Sequence, residues 1–211
     1  MAPAPNRQLP DFEPKKRPRQ ERAQVTYESL VEACARLLPV RGYAGVTTNH
    51  VAEAAGVGIA SLYEYFPGKD ALVAEVAARL VSRVMAALAA AMTQAIASPP
   101  ERAVRLWISA IHDTLRQERE LVEVFVYQVP YTNRLPVIRG LTPLLLQFTQ
   151  AARARVADRV QIDPSPASLL LLNNLVVSTI LQLVLEPPEN VPEEDVLEAL
   201  SRRVQQWLEG G

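Results

Sequence analysis

The sequence predicts an all-α fold, a small N-terminal set of three helices followed by a larger helical region. Three observations carry this. Apolar residues recur every three or four positions through long segments. Prolines divide those segments at intervals that suit separate helices. No run alternates with the period of two that a half-buried strand requires. At 211 residues and 49% hydrophobic content, one or two domains with a substantial core are expected.

Residues 1–19 form the first element, a proline-rich basic arm. Pro3, Pro5, Pro10, Pro14 and Pro18 leave it without a stable fold of its own. It ends in Lys15-Lys16-Arg17-Pro18-Arg19, and no apolar run of a secretory signal follows. The first helix is predicted near Gln20–Val40, with Cys34 on the same stripe as Leu30, Leu37 and Leu38. Two short helices follow within residues 47–66. A long helix then spans Asp70–Ala97, and Pro99-Pro100 stops it. The next helices are placed at Glu101–Gln117, Arg119–Gln128 and Leu135–Val160, the last with Pro136 in its first turn and Pro143 as a kink or restart. Pro166–Leu185 and Pro192–Leu208 complete the set. Domain limits follow as 1–19 for the arm, 20–68 for the first helical domain and 69–211 for the second.

The most informative stretch is Thr47–Lys69, reading TTNHVAEAAGVGIASLYEYFPGK. Thr47 or Thr48 can accept from a free N–H and so start a helix. Val51, Ala54 and Ala55 fall on one helical face, and small residues there let a second helix approach. Gly56 tolerates the left-handed conformation that ends a helix, and Val57 is expected to turn inward. In the second short helix Leu62 and Phe66 point inward, leaving Ser61, Tyr63, Glu64 and Tyr65 outward. Two short helices joined by a glycine turn are the helix-turn-helix arrangement that offers its second helix to the DNA major groove.

Over residues 22–75 the chain resembles the TetR/AcrR family of transcriptional regulators. Thr47-Thr48, Val51-Ala52-Glu53, Ala55-Gly56-Val57, Ser61-Leu62-Tyr63 and Tyr65 to Leu72 carry the resemblance. It implies that Thr47, Thr48, Ser61, Tyr65 and Lys69 contact phosphates, which position a protein without reading sequence. It places Asn49, Ile59, Ala60 and Tyr63 where base edges are reached. Asn49 suits adenine, and Ile59 or Ala60 suits a thymine methyl. Gly58 and Ile59 stand where many members carry a polar residue, so direct readout is expected to be sparse. Glu64 is negative on a face that should meet phosphates, and His50 is expected at the surface. The basic arm, with Arg19, can follow the phosphate backbone or enter the minor groove; a solvated tail is the alternative.

Charge alone points to no partner. Residues 1–68 hold 8 Lys/Arg against 7 Asp/Glu and the remainder 14 against 16, for a net charge of -1. One cysteine excludes an internal disulfide framework and suits a reducing cytoplasm. Two histidines without clustered ligands argue against a metal site, and no cofactor is expected. Nor does the chain offer a nucleophile–base pair, a phosphate-cradling glycine loop or paired acids of an enzyme.

The Ala167–Leu185 segment has the length of a membrane span. Asn173, Asn174, Ser178, Thr179 and Gln182 interrupt it, and Asn174, Ser178 and Gln182 recur every four residues as a polar stripe. Such a stripe finds partners when the helix packs against its own copy. Leu197, Leu200, Val204 and Trp207 make a second stripe. The resemblance implies that these two helices from each subunit build a homodimer interface, with no membrane involved. Trp107, Phe125, Tyr127, Tyr131 and Phe148, with His112, Gln128 and Arg105 as polar partners, are the candidate lining of a site for a small hydrophobic effector. Singly, each aromatic also suits a plain core. The expected function is a homodimeric repressor released from a palindromic double-stranded DNA operator by that effector; the alternative is a DNA-binding structural or interaction protein of the same fold without one.

Overall fold

The structure, a computed structural model, describes residues 10–96, 98–155 and 165–208. Among them all regular structure is helical, and there is no strand. The order is α1 (Glu21–Gly45), α2 (Thr48–Ala55), α3 (Ile59–Tyr65), α4 (Lys69–Ile96), α5 (Pro100–Gln117) and α6 (Arg119–Tyr127). A single 3-10 turn (Thr132–Arg134) precedes α7 (Pro136–Arg139), α8 (Leu141–Arg155), α9 (Pro166–Leu185) and α10 (Glu193–Leu208).

Most predicted boundaries hold to within a residue or two, and the departures have local causes. Pro39 lies inside α1 and deletes only one helical hydrogen bond. The break comes three residues later at Gly42, whose φ of 65° and ψ of 165° no ordinary side chain adopts. The single helix expected over Leu135–Val160 is instead divided at Gly140. Pro143 marks a restart and not a kink: it falls in the first turn of α8, where backbone N–H groups have no helical partner to lose. Ala97, residues 156–160 and the first nine residues of the arm lie outside the described residues.

The chain forms two compact units. One comprises Met1–Arg79 with Val124–Val137, the other Leu80–Glu123 with Ile138–Gly211. Arg79 and Leu80 both lie within α4, and the end of α6 belongs to the N-terminal unit. In that unit α1, α2 and α3 pack on one another around Leu30, Leu38, Val51, Leu62, Phe66 and Leu72, all fully buried. Tyr27 stacks on Phe66 with centroids 4.8 Å apart and meets Tyr65 edge-on at 5.8 Å. Cys34 sits in the same core, and burial pushes its thiol up to about 12. In the other unit α5, α9 and α10 pack together and α8 packs on α9, around Ile108, Leu169, Leu172, Val176, Ile180 and Val204.

Candidate nucleic-acid interface

The helix-turn-helix is built from local rules. Thr47 is extended and its hydroxyl accepts from the N–H of His50 at 3.2 Å, so it, and not Thr48, caps α2. At the other end Gly56 adopts φ 69°, ψ 29°. Its N–H donates to the Glu53 carbonyl at 3.0 Å, and that of Val57 reaches back to Ala52 at 3.0 Å. This paired closure consumes two carbonyls that α2 would otherwise leave free, and it requires a residue at ease with positive φ. Gly58 is extended and starts α3, which Phe66 ends by donating to the Leu62 carbonyl at 2.9 Å. Leu62 and Phe66, four apart, anchor α3 in the core.

That anchoring decides which side chains remain outward. Ile59 is 38% and Tyr63 44% exposed, one turn apart on α3, with Ala60 exposed beside them. Asn49 and Thr47 are exposed and Thr48 and Ser61 half-buried. The hydroxyls of Thr48 and Tyr63 lie 3.1 Å apart, tying the first turn of α2 to the outer face of α3. His50 is half-buried. Arg41, which can only donate, lies 3.1 Å from its Nε2, so Nε2 accepts and Nδ1–H donates to the Gly45 carbonyl at 3.2 Å.

Two of the expected phosphate contacts are placed otherwise. Tyr65 is only 6% exposed; its ring belongs to the Tyr27–Phe66 core, because a two-turn helix anchored at positions 62 and 66 turns position 65 partly inward. Lys69 is not free. Its ammonium donates to the Tyr43 carbonyl at 2.9 Å and lies 4.0 Å from the centre of the Tyr43 ring.

The docking of the arm onto the helices is what the sequence did not announce. The Lys15 N–H donates to the Tyr65 carbonyl at 2.7 Å and its ammonium to the Tyr63 carbonyl at 2.9 Å. Lys16 pairs with Glu64 and stands over the Tyr65 ring, 5.2 Å from its centre. The Glu64 hydrogen bond raises the Lys16 pKa. Arg17 reaches buried Glu75 at 3.2 Å, and Phe12 packs against Tyr131 with centroids 5.0 Å apart. Arg19 is exposed. These pairs are some fifty residues apart in sequence or more, so no periodicity could announce them.

The same holds for the ties from Val124–Val137. Gln128 accepts the Tyr43 N–H at 3.1 Å. One carboxylate oxygen of Asp70 accepts hydrogen bonds from the hydroxyls of Tyr43, at 2.8 Å, and of Tyr131. Burial first, and then Asp70, raises the pKa of both phenols.

The aromatic set proposed as an effector site is split. Phe125 and Tyr131 are buried in the N-terminal unit, where Tyr127 is 56% exposed. Trp107, His112 and Phe148 belong to the other unit. There Trp107 has a buried indole N–H without a partner among the described residues, and Phe148 is half-buried. His112 is buried, with Nδ1 3.1 Å from Asp113 and Nε2 2.9 Å from Glu193; the latter is close enough for an ion pair but out of line for a hydrogen bond. Arg105 pairs with Glu194, and Gln128 is taken by Tyr43, so neither waits for a ligand as expected.

The dimer stripes also separate. On α9, Asn174, Ser178 and Gln182 are exposed alongside Leu171 and Leu175, while Asn173 is buried with Oδ1 3.1 Å from the Thr149 hydroxyl. On α10 the expected stripe is corrected. Leu197, Leu200 and Val204 are buried within the chain itself, since α10 uses its apolar face to pack on α5 and α9. Its exposed face is instead polar, with Glu198 and Arg202 3.4 Å apart. By length and composition α9 could cross a membrane, but one face of it is buried in the protein.

Residues 30–76 match the family model described as bacterial regulatory proteins, tetR family. No curated protein matches the chain. Solved structures do, at low identity. A Mesorhizobium loti protein assigned to the TetR family of transcriptional regulators superposes with a TM-score of 0.70 at 16% identity, over 90% of this chain and 98% of that one. A TetR-family regulator of Haemophilus influenzae gives 0.64 at 21% identity, over 90% and 99%. The fatty acid degradation regulator of Bacillus halodurans gives 0.62 at 18%, over 92% and 98%. The segment that holds the helix-turn-helix thus matches the tetR-family model, and the all-helical fold of the chain is similar to that of solved TetR-family regulators.

Proposed function

We propose that the protein is a homodimeric, sequence-specific repressor that leaves a palindromic operator when a small hydrophobic molecule binds its C-terminal region. One observation supports the DNA-reading part above the others. Ile59, Ala60 and Tyr63 stand outward on α3, where the core has no use for them, beside exposed Asn49 and Thr47. Side chains of this kind at that place suit thymine methyls, a base edge and the flanking phosphates. With Gly58 and Ile59 contributing no polar reading group, DNA shape carries part of the recognition.

A single α3 covers a few base pairs, and two held about 34 Å apart cover successive major-groove faces. The exposed face of α9, with Leu171 and Leu175 among Asn174, Ser178 and Gln182, supports a two-fold pairing through that helix. An effector that prefers the dimer with misplaced α3 helices lowers affinity by its differential binding to the two states. Acting on chromosomal DNA puts the protein in the cytoplasm, with no membrane, metal, cofactor or catalysis in the scheme.

The test is selection of bound fragments from the source genome, followed by titration of the selected duplex against the purified protein. A palindromic site bound by two chains, released by a hydrophobic compound suggested by the neighbouring genes, is the expected result. Binding that no compound weakens would leave the effector-independent reading, and equal affinity for selected and random duplex would sink the sequence-specific repressor.

A further inference from the structure

The geometry points to a specific task for the N-terminal arm: Lys15 and Lys16 are positioning residues that hold the C-terminal end of α3, and they set discrimination between duplexes without touching DNA. The inference rests on the DNA-binding reading of α3. It departs from the ordinary expectation for a basic arm, which is to follow phosphates.

The need arises from the length of α3. A helix from Ile59 to Tyr65 has only two turns, too few to be stable by its own hydrogen bonds, and its last carbonyls have no helical donors. Phe66 satisfies Leu62. The arm supplies two more donors, both from Lys15, to Tyr63 and Tyr65. A cation at a helix C-terminus also opposes the partial negative charge gathered there. Glu64 stands at that same end, where the charge is unfavourable and where phosphates would be repelled; Lys16 pairs with it. The arm therefore corrects both defects of the recognition helix with adjacent residues.

The arm is itself held on both sides of these lysines. Phe12 packs against Tyr131, and Arg17 pairs with Glu75, whose side chain is buried beneath it. Pro14 and Pro18 restrict the backbone between and beyond these points, so less disorder is lost when the arm docks. Tyr63 links the arm to the outer face of α3. Its carbonyl accepts from Lys15 while its hydroxyl meets Thr48 on the outer face. Loosening the arm loosens the residue best placed to read a base.

The test compares the full chain with Lys15→Met/Lys16→Met and with Lys16→Arg. Without DNA, backbone amides of residues 62–66 in the double variant should exchange hydrogen about three- to tenfold faster, the effect of losing charge-assisted bonds at a helix end. On the selected duplex, affinity should fall about tenfold, on random duplex under twofold, and the salt slope should stay unchanged. Lys16→Arg, which keeps the pair with Glu64, should behave as wild type. An equal loss on both duplexes, with the salt slope lower by about two, would show the lysines on phosphates and overturn the proposal. Unchanged exchange in α3 would overturn it as well, whatever the DNA result. If the unmodified chain fails to discriminate any duplex, the DNA-binding reading is what fails, and amide exchange alone then decides whether the arm holds α3.

Discussion

Replacing Gly42 with alanine should destabilise the protein by about 2–4 kcal/mol, from two separable sources. The first is backbone strain: φ 65° with ψ 165° lies in a region open only to glycine, and holding another residue there costs about 1–3 kcal/mol. The second is collision. A Cβ on Gly42 would stand 2.5 Å from Gln128 Oε1, closer than real side chains come. The amide must swing away and so releases the Tyr43 N–H that it accepts at 3.1 Å, a loss of roughly 1 kcal/mol. Urea unfolding followed by helical circular dichroism measures the sum, and a double-mutant cycle with Gln128→Ala divides it. Gln128→Ala alone should cost roughly 1 kcal/mol, and Gly42→Ala in that background should still cost about 1–3 kcal/mol. A Gly42→Ala protein within about 0.5 kcal/mol of wild type would refute the positive φ, since changes of that size are what neutral surface positions give. Complete rescue by Gln128→Ala would refute the strain and leave collision as the whole effect.

Gly56→Ala has positive φ but open space around its Cβ, so it should cost only about 1–2 kcal/mol, and Gly56→Asn less, measured by the same unfolding curves. Asp70→Ala leaves the Tyr43 and Tyr131 hydroxyls without their shared acceptor and should cost roughly 3 kcal/mol, while Asp70→Asn, which keeps an acceptor oxygen, should cost less than half of that; equal losses would argue against the hydrogen bonds as the cause. The native Cys34 thiol keeps its proton up to about pH 12 whereas the unfolded one loses it near pH 9.0. Its contribution is therefore complete below pH 9.0 and is lost as pH rises toward 12, at about 1.4 kcal/mol per pH unit. Cys34→Ala should flatten the stability curve between pH 9 and 10, before the tyrosines join, and a slope identical to wild type would exclude that linkage. Lys69→Met, which loses its place over Tyr43, should lower stability while leaving the salt slope of DNA binding unchanged; a slope lower by about one would restore Lys69 as a phosphate contact.

How much of the site was legible depended on how local its causes are. The cap at Thr47, the closure at Gly56 and the inward anchors Leu62 and Phe66 each follow from residues within one turn, and all are found as read. Tyr65 was misplaced because its neighbours in sequence do not say where Tyr27 will be. The polar stripe of α9 was found at the surface, whereas the α10 stripe was assigned to a partner and turned out to face α5 and α9. An amphipathic pattern states that a face is buried and not against what.

Taken alone, the sequence determined the all-α class, the order and most of the limits of the helices, and the helix-turn-helix, because periodicity, caps and breakers act over a few residues. The tertiary structure alone decided the use of the charges. Lys15, Lys16 and Lys69 read as cations free for phosphate, yet each is directed at a carbonyl, carboxylate or ring far along the chain. Charge acts across space without regard to sequence distance, so its partners exist only once the chain has folded.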